Sequence, residues 1–171
     1  MSTGNPESRN RTRRLLRVLG AVMVPAVAIV ALAVPASADQ QCRSFSSGVV
    51  CLTINRLSDG QYAVDLGIDV HMSRQDAQAI IDAPGDPFTA KVVGADTFFD
   101  NDLFGVPMVG IGATDESGLS ADFHRVVLPS SLNEDDSPGD RVDEVFGRIR
   151  FVDPRTNLGR TFDTPEIHAL F

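Results

Sequence analysis

Two short acidic segments carry the side chains best suited to bind a metal ion. The candidate ligands are Asp96, Asp100, Asp102, Glu134, Asp135 and Asp136. Hard cations such as Ca²⁺ bind about six to eight oxygen atoms, mostly from carboxylates and carbonyls. The spacing is not that of an EF-hand, because the central glycine and the closing glutamate are absent. The alternative is a pair of solvated acidic turns in which Asp side chains cap backbone amides.

The elements between the two segments decide whether their carboxylates meet. Residues 107–114 and 119–128 are predicted strands, and Asp115-Glu116-Ser117-Gly118 supplies the turn between them. If the two strands run antiparallel, both acidic segments lie at the same end of the domain. The six residues could therefore form one shared calcium site, while a pair of solvated acidic turns is the favoured interpretation, because acidic loops are common in a chain this acidic.

Ser120, Asp122 and His124 have the residue types of a hydrolase triad, but their spacing is unsuitable. They alternate along one predicted strand, where residues two apart are separated by about 6.6–7 Å at the backbone. A nucleophile, base and orienting acid need a chain of short hydrogen bonds, which such a row does not easily form. We predict a solvent-facing row and no catalytic residues. A pair of carboxylates that meets only in the folded protein stays open as an alternative.

The N-terminal segment predicts export. Five arginines within residues 9–17 precede an uncharged apolar run from Val18 to Val34, and Ala36 and Ala38 supply the small residues of a signal-peptidase site. We expect residues 1–38 to be a signal peptide cleaved after Ala38, and the protein to be secreted. The alternatives are an uncleaved anchor, for which 17 apolar residues are short, and twin-arginine export through Arg13 and Arg14.

The charge of the mature chain limits its partners. Removing five arginines and one glutamate from the 15 basic and 23 acidic residues leaves 10 and 22, a net charge of −12. Nucleic acids and anionic membranes select basic surfaces, so neither is an expected partner. Residues 39–171 contain no second apolar span and have the length of a single domain. The expected partner is an extracellular protein or a small ligand.

The two cysteines of the chain, Cys42 and Cys51, lie close together at the start of the mature sequence. An even number of cysteines in an exported chain predicts a disulfide bond. A bridge across so short a loop should add about 2–3 kcal/mol to the free energy of unfolding.

Alternating apolar residues predict a β domain. From Tyr62 to Met72 the apolar and polar residues alternate, which is typical of a strand with one buried face, and Val49–Arg56 shows the same pattern. Ser58-Asp59-Gly60 supplies the turn between them. Ser73 caps one short helix, with Ala77, Ile80 and Ile81 as its apolar stripe. Further strands follow after residue 87. We predict an all-β antiparallel sandwich of seven to eight strands, with a partly closed barrel as the alternative.

Two runs of the sequence resemble a known group of proteins. They are Gly94-Ala95-Asp96-Thr97-Phe98-Phe99-Asp100-Asn101-Asp102-Leu103-Phe104 and the stretch from Leu132-Asn133-Glu134-Asp135-Asp136 to Asp143-Glu144-Val145-Phe146. Both are similar to sequences of small secreted β-sandwich proteins of high-GC Gram-positive bacteria. The resemblance covers most of residues 49–171. It implies a compartment and a fold, and it implies no activity.

Three functions are compatible with these features. The first is a secreted, non-catalytic binding module, with or without calcium. The second is a secreted inhibitor of proteases or other hydrolases, which would use the long loop at residues 130–140. The third is a hydrolase that uses carboxylates and requires a deep cleft. The absence of a catalytic motif favours the binding module.

Overall fold

The computed structural model of the chain describes residues 38–95, 100–133 and 142–171. Within these ranges, no helix is long and apolar enough to cross a membrane. The strands are β1 (Ala38–Phe45), β2 (Gly48–Arg56), β3 (Tyr62–Val70), β4 (Phe88–Gly94), β5 (Asn101–Val106), β6 (Met108–Thr114), β7 (Gly118–Val127), β8 (Asp143–Asp153), β9 (Leu158–Asp163) and β10 (Ile167–Ala169). The helix α1 spans Arg74–Ile81, and a 3₁₀ turn spans Pro129–Ser131.

The strands form two antiparallel sheets. The first sheet has the order β1-β2-β3-β7-β6, and the second has the order β10-β8-β4-β5, with β9 also paired to β8. Apolar side chains of both sheets form one core, in which the rings of Phe88 (β4) and Phe123 (β7) lie 6.4 Å apart. The predicted all-β architecture of two antiparallel sheets with one helix is confirmed.

The β2–β3 hairpin shows how the sequence specifies its register. Val64, Leu66 and Ile68 are buried, while Asp65 and Asp69 between them lie on the outer face of the first sheet. A shift of one residue would exchange the two sets and bury the carboxylates. The turn falls at the predicted place, where Gly60 has a φ of 85° that favours glycine.

The helix α1 begins and packs as its sequence predicts. The hydroxyl of Ser73 accepts a hydrogen bond from the backbone N–H of Asp76, at 3.1 Å, and donates one to the Asp76 carboxylate, at 2.6 Å. These bonds satisfy a backbone donor that the first turn would otherwise leave without a partner. Ala77 and Ile80 are buried and anchor the helix to the core.

The prediction of seven to eight strands was wrong, because the described residues form ten. The additional strand between the acidic segments is β5, which begins at Asn101 in a stretch predicted to be an acidic loop. It pairs with β4 across a register shift between Val92 and Val93, and its first residues stay exposed. Three strands, β5, β6 and β7, therefore separate the acidic segments, so the antiparallel course of two strands does not bring the segments together.

Candidate functional site

Three basic side chains project from the outer face of the second sheet. In β8, Val145, Gly147, Ile149 and Phe151 are buried, so Arg148 and Arg150 between them point outward. The strand register places Lys91 of β4 opposite Arg148, and Thr89 opposite Arg150. On the other side of β8, Asp163 and Thr161 of β9 lie opposite the same two arginines. We call these six residues the cationic face: Thr89, Lys91, Arg148, Arg150, Thr161 and Asp163.

Arg148 is held rigidly at the centre of this face. Its Nε donates to Asp163 Oδ1 at 2.8 Å, and its Nη2 donates to Asp163 Oδ2 at 3.1 Å and to Asp100 Oδ2 at 3.2 Å. The guanidinium carbon also lies 5.1 Å from the centre of the Phe146 ring. The bond to Asp163 raises the pKa of Arg148 against the opposing effect of burial. Arg148 is therefore a permanent, well-positioned positive charge whose side chain stays 28% exposed.

A buried corner after β9 fixes the position of Asp163. The hydroxyl of Thr164 accepts a hydrogen bond from the backbone N–H of Gly147, at 2.9 Å, and donates to the carbonyl of Pro165, at 2.8 Å. The backbone N–H of Thr164 also donates to the Gly147 carbonyl, at 2.9 Å. Thr164 is only 2% exposed, so these bonds are largely shielded from water. The corner thus links Thr164, which follows Asp163, to Gly147, which precedes Arg148.

Two open grooves border Arg148. The larger, of about 540 Å³, lies towards β1 and β10 and is also lined by Arg43, Phe146, Glu166 and His168. In this groove the His168 ring nitrogens lie 3.3 Å from Glu144 and 3.3 Å from Glu166. The smaller groove, of about 270 Å³, lies over the other half of the cationic face and is lined by Thr89, Ala90, Lys91, Arg148, Arg150 and Thr161. Shallow, mixed-polarity grooves around a fixed charge suit binding more than they suit the exclusion of water from a reaction.

The structure describes only two of the six predicted calcium ligands. Asp100 binds Arg148, and Asp102 forms an ion pair with Lys91. Asp96 and the acidic run Glu134, Asp135 and Asp136 lie outside the described residues. Among the residues that are described, no group of three His, Cys, Asp or Glu side chains is arranged to hold a metal ion. The calcium site stays a prediction.

The flanks of the two acidic segments do lie side by side, for a reason that the sequence did not reveal. The strand β4, which leads into the first segment, pairs directly with β8, which follows the second. Beyond the end of that pairing, the backbone N–H of Ala95 donates to the carbonyl of Glu144, at 2.7 Å. The proximity therefore comes from the β4–β8 pair and not from the strands between the segments.

The row Ser120, Asp122 and His124 lies on the outer face of the first sheet. His124 Nδ1 is 2.7 Å from Asp65 Oδ1, and the Ser120 hydroxyl donates to Asp69 Oδ1 at 2.6 Å. Both partners belong to β3, because Asp65 and Asp69 lie opposite His124 and Ser120 in the sheet. Asp122 lies between them and opposite Gly67. The serine and histidine thus bond to the neighbouring strand rather than to each other.

The predicted disulfide bond is confirmed. Cys42 and Cys51 lie opposite each other on β1 and β2, and their sulfur atoms are bonded. The bond ties the edge strand β1, whose residues are largely exposed, to the interior of the first sheet.

Sequence reasoning did not identify the cationic face. A signal was present, because Arg148 and Arg150 alternate with four apolar residues and so must share the solvent-facing side of a strand. The partners of these arginines on β4 and β9 depend on strand pairing, which the alternation does not specify. Comparisons of the chain with protein-family models, with curated proteins and with solved structures found no match.

Proposed function

We propose that the chain is an exported, non-catalytic binding module that contacts its ligand through the cationic face. The observation that carries this proposal is the fixed position of Arg148, which is held by both oxygens of Asp163 while it lies exposed between two grooves. A charge that is already ordered loses little conformational entropy when a ligand binds, so more of the interaction energy appears as affinity.

Three observations favour binding over catalysis. The grooves are open to solvent and so lack the closed, water-excluding geometry that some catalytic sites use. Ser120 and His124 are each held by a carboxylate of β3, at 2.6 and 2.7 Å. His168 lies between two glutamates, with no nucleophile of the described chain bonded to it.

Export is part of the proposal and is supported by the disulfide bond, because structural disulfides form and persist mainly in oxidising compartments. The predicted cleavage after Ala38 removes one residue from the start of β1, so the strand continues from Asp39 to Phe45. Intact-mass measurement of the protein recovered from the medium tests this step. A retained N-terminal segment in the membrane fraction would contradict it.

Two other functional predictions depend on residues that the structure does not describe. An inhibitor would use the loop at 130–140, of which 134–140 lie outside the described ranges. A calcium-dependent binding mode would use four ligands outside the described ranges, Asp96, Glu134, Asp135 and Asp136. It would also require Asp100 and Asp102 to release Arg148 and Lys91 and to bind the metal ion instead.

A fragment screen followed by nuclear magnetic resonance tests the proposed function. The isotopically labelled protein is titrated with small acids, amines, sugars and peptides, and the amide signals that move are mapped on the structure. We expect saturable shifts concentrated at the cationic face, with every fragment recovered unchanged. Shifts concentrated on the outer face of the first sheet, around Asp122, would contradict the proposal, as would turnover of a bound fragment.

A further inference from the structure

Arg150 differs from the other two cations of the cationic face in its neighbours. Lys91 pairs with Asp102, and Arg148 is held by two carboxylates. Within the described ranges, no acidic side chain forms an ion pair with Arg150. Arg150 therefore contributes a positive charge that has no ion-pair partner among the described residues.

The position of Arg150 is nevertheless well defined. It lies in the middle of β8, which pairs with β4 on one side and β9 on the other. Its direct neighbours across the two strands are Thr89 and Thr161, and side chains opposite each other in an antiparallel pair have Cβ atoms about 4.5–5.5 Å apart. Arg150 is thus flanked by a hydroxyl group on each side.

The space over Arg150 is open. Arg150 lines the smaller groove together with Thr89, Lys91 and Thr161. A side-chain carbon on Gly159 would lie 3.9 Å from Arg150 Nε, so the glycine leaves this flank of the arginine uncovered. Thr89, Arg150 and Thr161 are all exposed, so a ligand has access to the three side chains.

We propose that Arg150, Thr89 and Thr161 bind one oxyanion group, a carboxylate or a sulfate-type group, of the ligand that the cationic face contacts. The guanidinium presents parallel N–H donors that match two oxygens of such a group, and the threonine hydroxyls donate to the same oxygens. The proposal rests on the proposed binding function and specifies the chemistry of the ligand.

The charges around the face favour a ligand with a single negative charge. Three carboxylates, Asp100, Asp102 and Asp163, already balance the three cations Lys91, Arg148 and Arg150, so the face offers donors to one anionic group but no excess positive charge to hold a second. The mature chain has a net charge of −12, and its field repels polyanions. The ligand is therefore a molecule with one oxyanion group and an otherwise uncharged body.

Nuclear magnetic resonance titration with two monoanionic probes tests the site. The isotopically labelled protein is expressed from the full-length gene and used in the form in which it is recovered. Acetate is planar and methyl sulfate is tetrahedral, so their comparison separates the two kinds of oxyanion. Sodium chloride at equal ionic strength is the reference for screening. We expect saturable shifts of Thr89, Arg150 and Thr161 with at least one probe and only small, linear shifts with chloride.

Two variants make the result specific. Arg150→Gln should weaken probe binding about tenfold or more, the loss expected for charge-assisted hydrogen bonds. Arg160→Gln is the matched control, because Arg160 is an exposed arginine on the adjacent strand β9, opposite Phe151, and its loss changes the net charge equally. Equal effects of the two variants would overturn the proposal. If neither probe binds while uncharged fragments still bind around Arg148, the anion site is wrong and the proposed function stands.

Discussion

Arg148 and Asp163 face each other across β8 and β9, and the guanidinium bonds both carboxylate oxygens, at 2.8 and 3.1 Å. A second pair, Arg155 and Asp153, forms the same two-point interaction at 3.0 and 2.9 Å in the turn between these strands. The two arginines therefore share one kind of bond, but only Arg148 lies between the grooves of the cationic face. Arg155 is therefore a matched control for Arg148, because it makes the same bonds to a carboxylate outside the grooves.

We expect the Asp153–Arg155 pair to make the free energy of unfolding depend on pH in the acid range. The hydrogen bond from the Arg155 side chain lowers the pKa of Asp153 from its ordinary value. Because the folded pKa is below the unfolded one, the stabilisation is complete above the unfolded pKa and is lost as the pH falls through the folded pKa. We expect Asp153→Asn to melt earlier than the unchanged protein at neutral pH, and the difference to shrink in acid. A constant difference in Tm from neutral pH to about pH 2 would contradict the shifted pKa of Asp153.

Gly147 of β8 lies against the side chain of Leu66 in β3 of the other sheet, next to the Thr164 corner. A methyl group there would overlap the Leu66 side chain and crowd Thr164. We expect Gly147→Ala to cost about 1–3 kcal/mol of unfolding free energy, as overpacked cores do. Gly112→Ala is the control, because no heavy atom lies within 4 Å of its new side chain. Denaturant unfolding measures both variants.

A double variant tests whether the cost of Gly147→Ala arises from contact with Leu66. In the double variant Gly147→Ala with Leu66→Ala, the smaller side chain at 66 gives the new methyl group room. The two costs should then be less than additive. Additive costs would show that the effect of the alanine does not arise from contact with Leu66.

The disulfide bond should stabilise the fold without being required for it. The core residues Leu52 and Ile54 of β2 are buried independently of the bond, so the domain should still fold when Cys42 and Cys51 are both serine. We expect this variant to lose about 2–3 kcal/mol of unfolding free energy. Chemical reduction of the unchanged protein should give the same loss. A reduced protein with unchanged stability would show that the bond does not restrict the unfolded chain.

The calcium site predicted from the acidic segments has a definite signature. A cation that binds only the folded state adds about 2.7 kcal/mol when present at a hundredfold excess over its Kd. Under that prediction millimolar Ca²⁺ raises Tm beyond the effect of sodium salt at equal ionic strength, and Asp100→Asn removes most of the gain. Equal shifts with the two salts would show that the segments are solvated acidic turns.

Local patterns in the sequence were sufficient to predict several parts of the fold. Alternation identified β3, because Val64 and Asp65 require opposite environments, and the cap at Ser73 follows from one side chain and one backbone donor. The Cys42–Cys51 bond required only an even number of cysteines and an oxidising compartment. Each of these features depends on residues that are close in the sequence.

The parts that were missed depend on distant residues. The strand β5 has exposed polar residues at its start, and its pairing with β4 is accompanied by the ion pair between Asp102 and Lys91, 11 residues apart. The contact of Asp100 with Arg148 joins residues 48 apart. Such contacts arise from sheet topology, so local patterns could place Arg148 and Arg150 on one face but could not identify the strands beside them or the ion pairs of Asp100 and Asp102.

The central claim is that the cationic face binds the ligand, and the two matched arginines test it most directly. The affinity for the strongest-binding fragment of the screen is measured for the unchanged protein, for Arg148→Gln and for Arg155→Gln, with Tm recorded for each. We predict that Arg148→Gln loses about tenfold or more in affinity, since it removes charge-assisted hydrogen bonds, while Arg155→Gln binds normally. Normal binding by a folded Arg148→Gln protein would contradict the account.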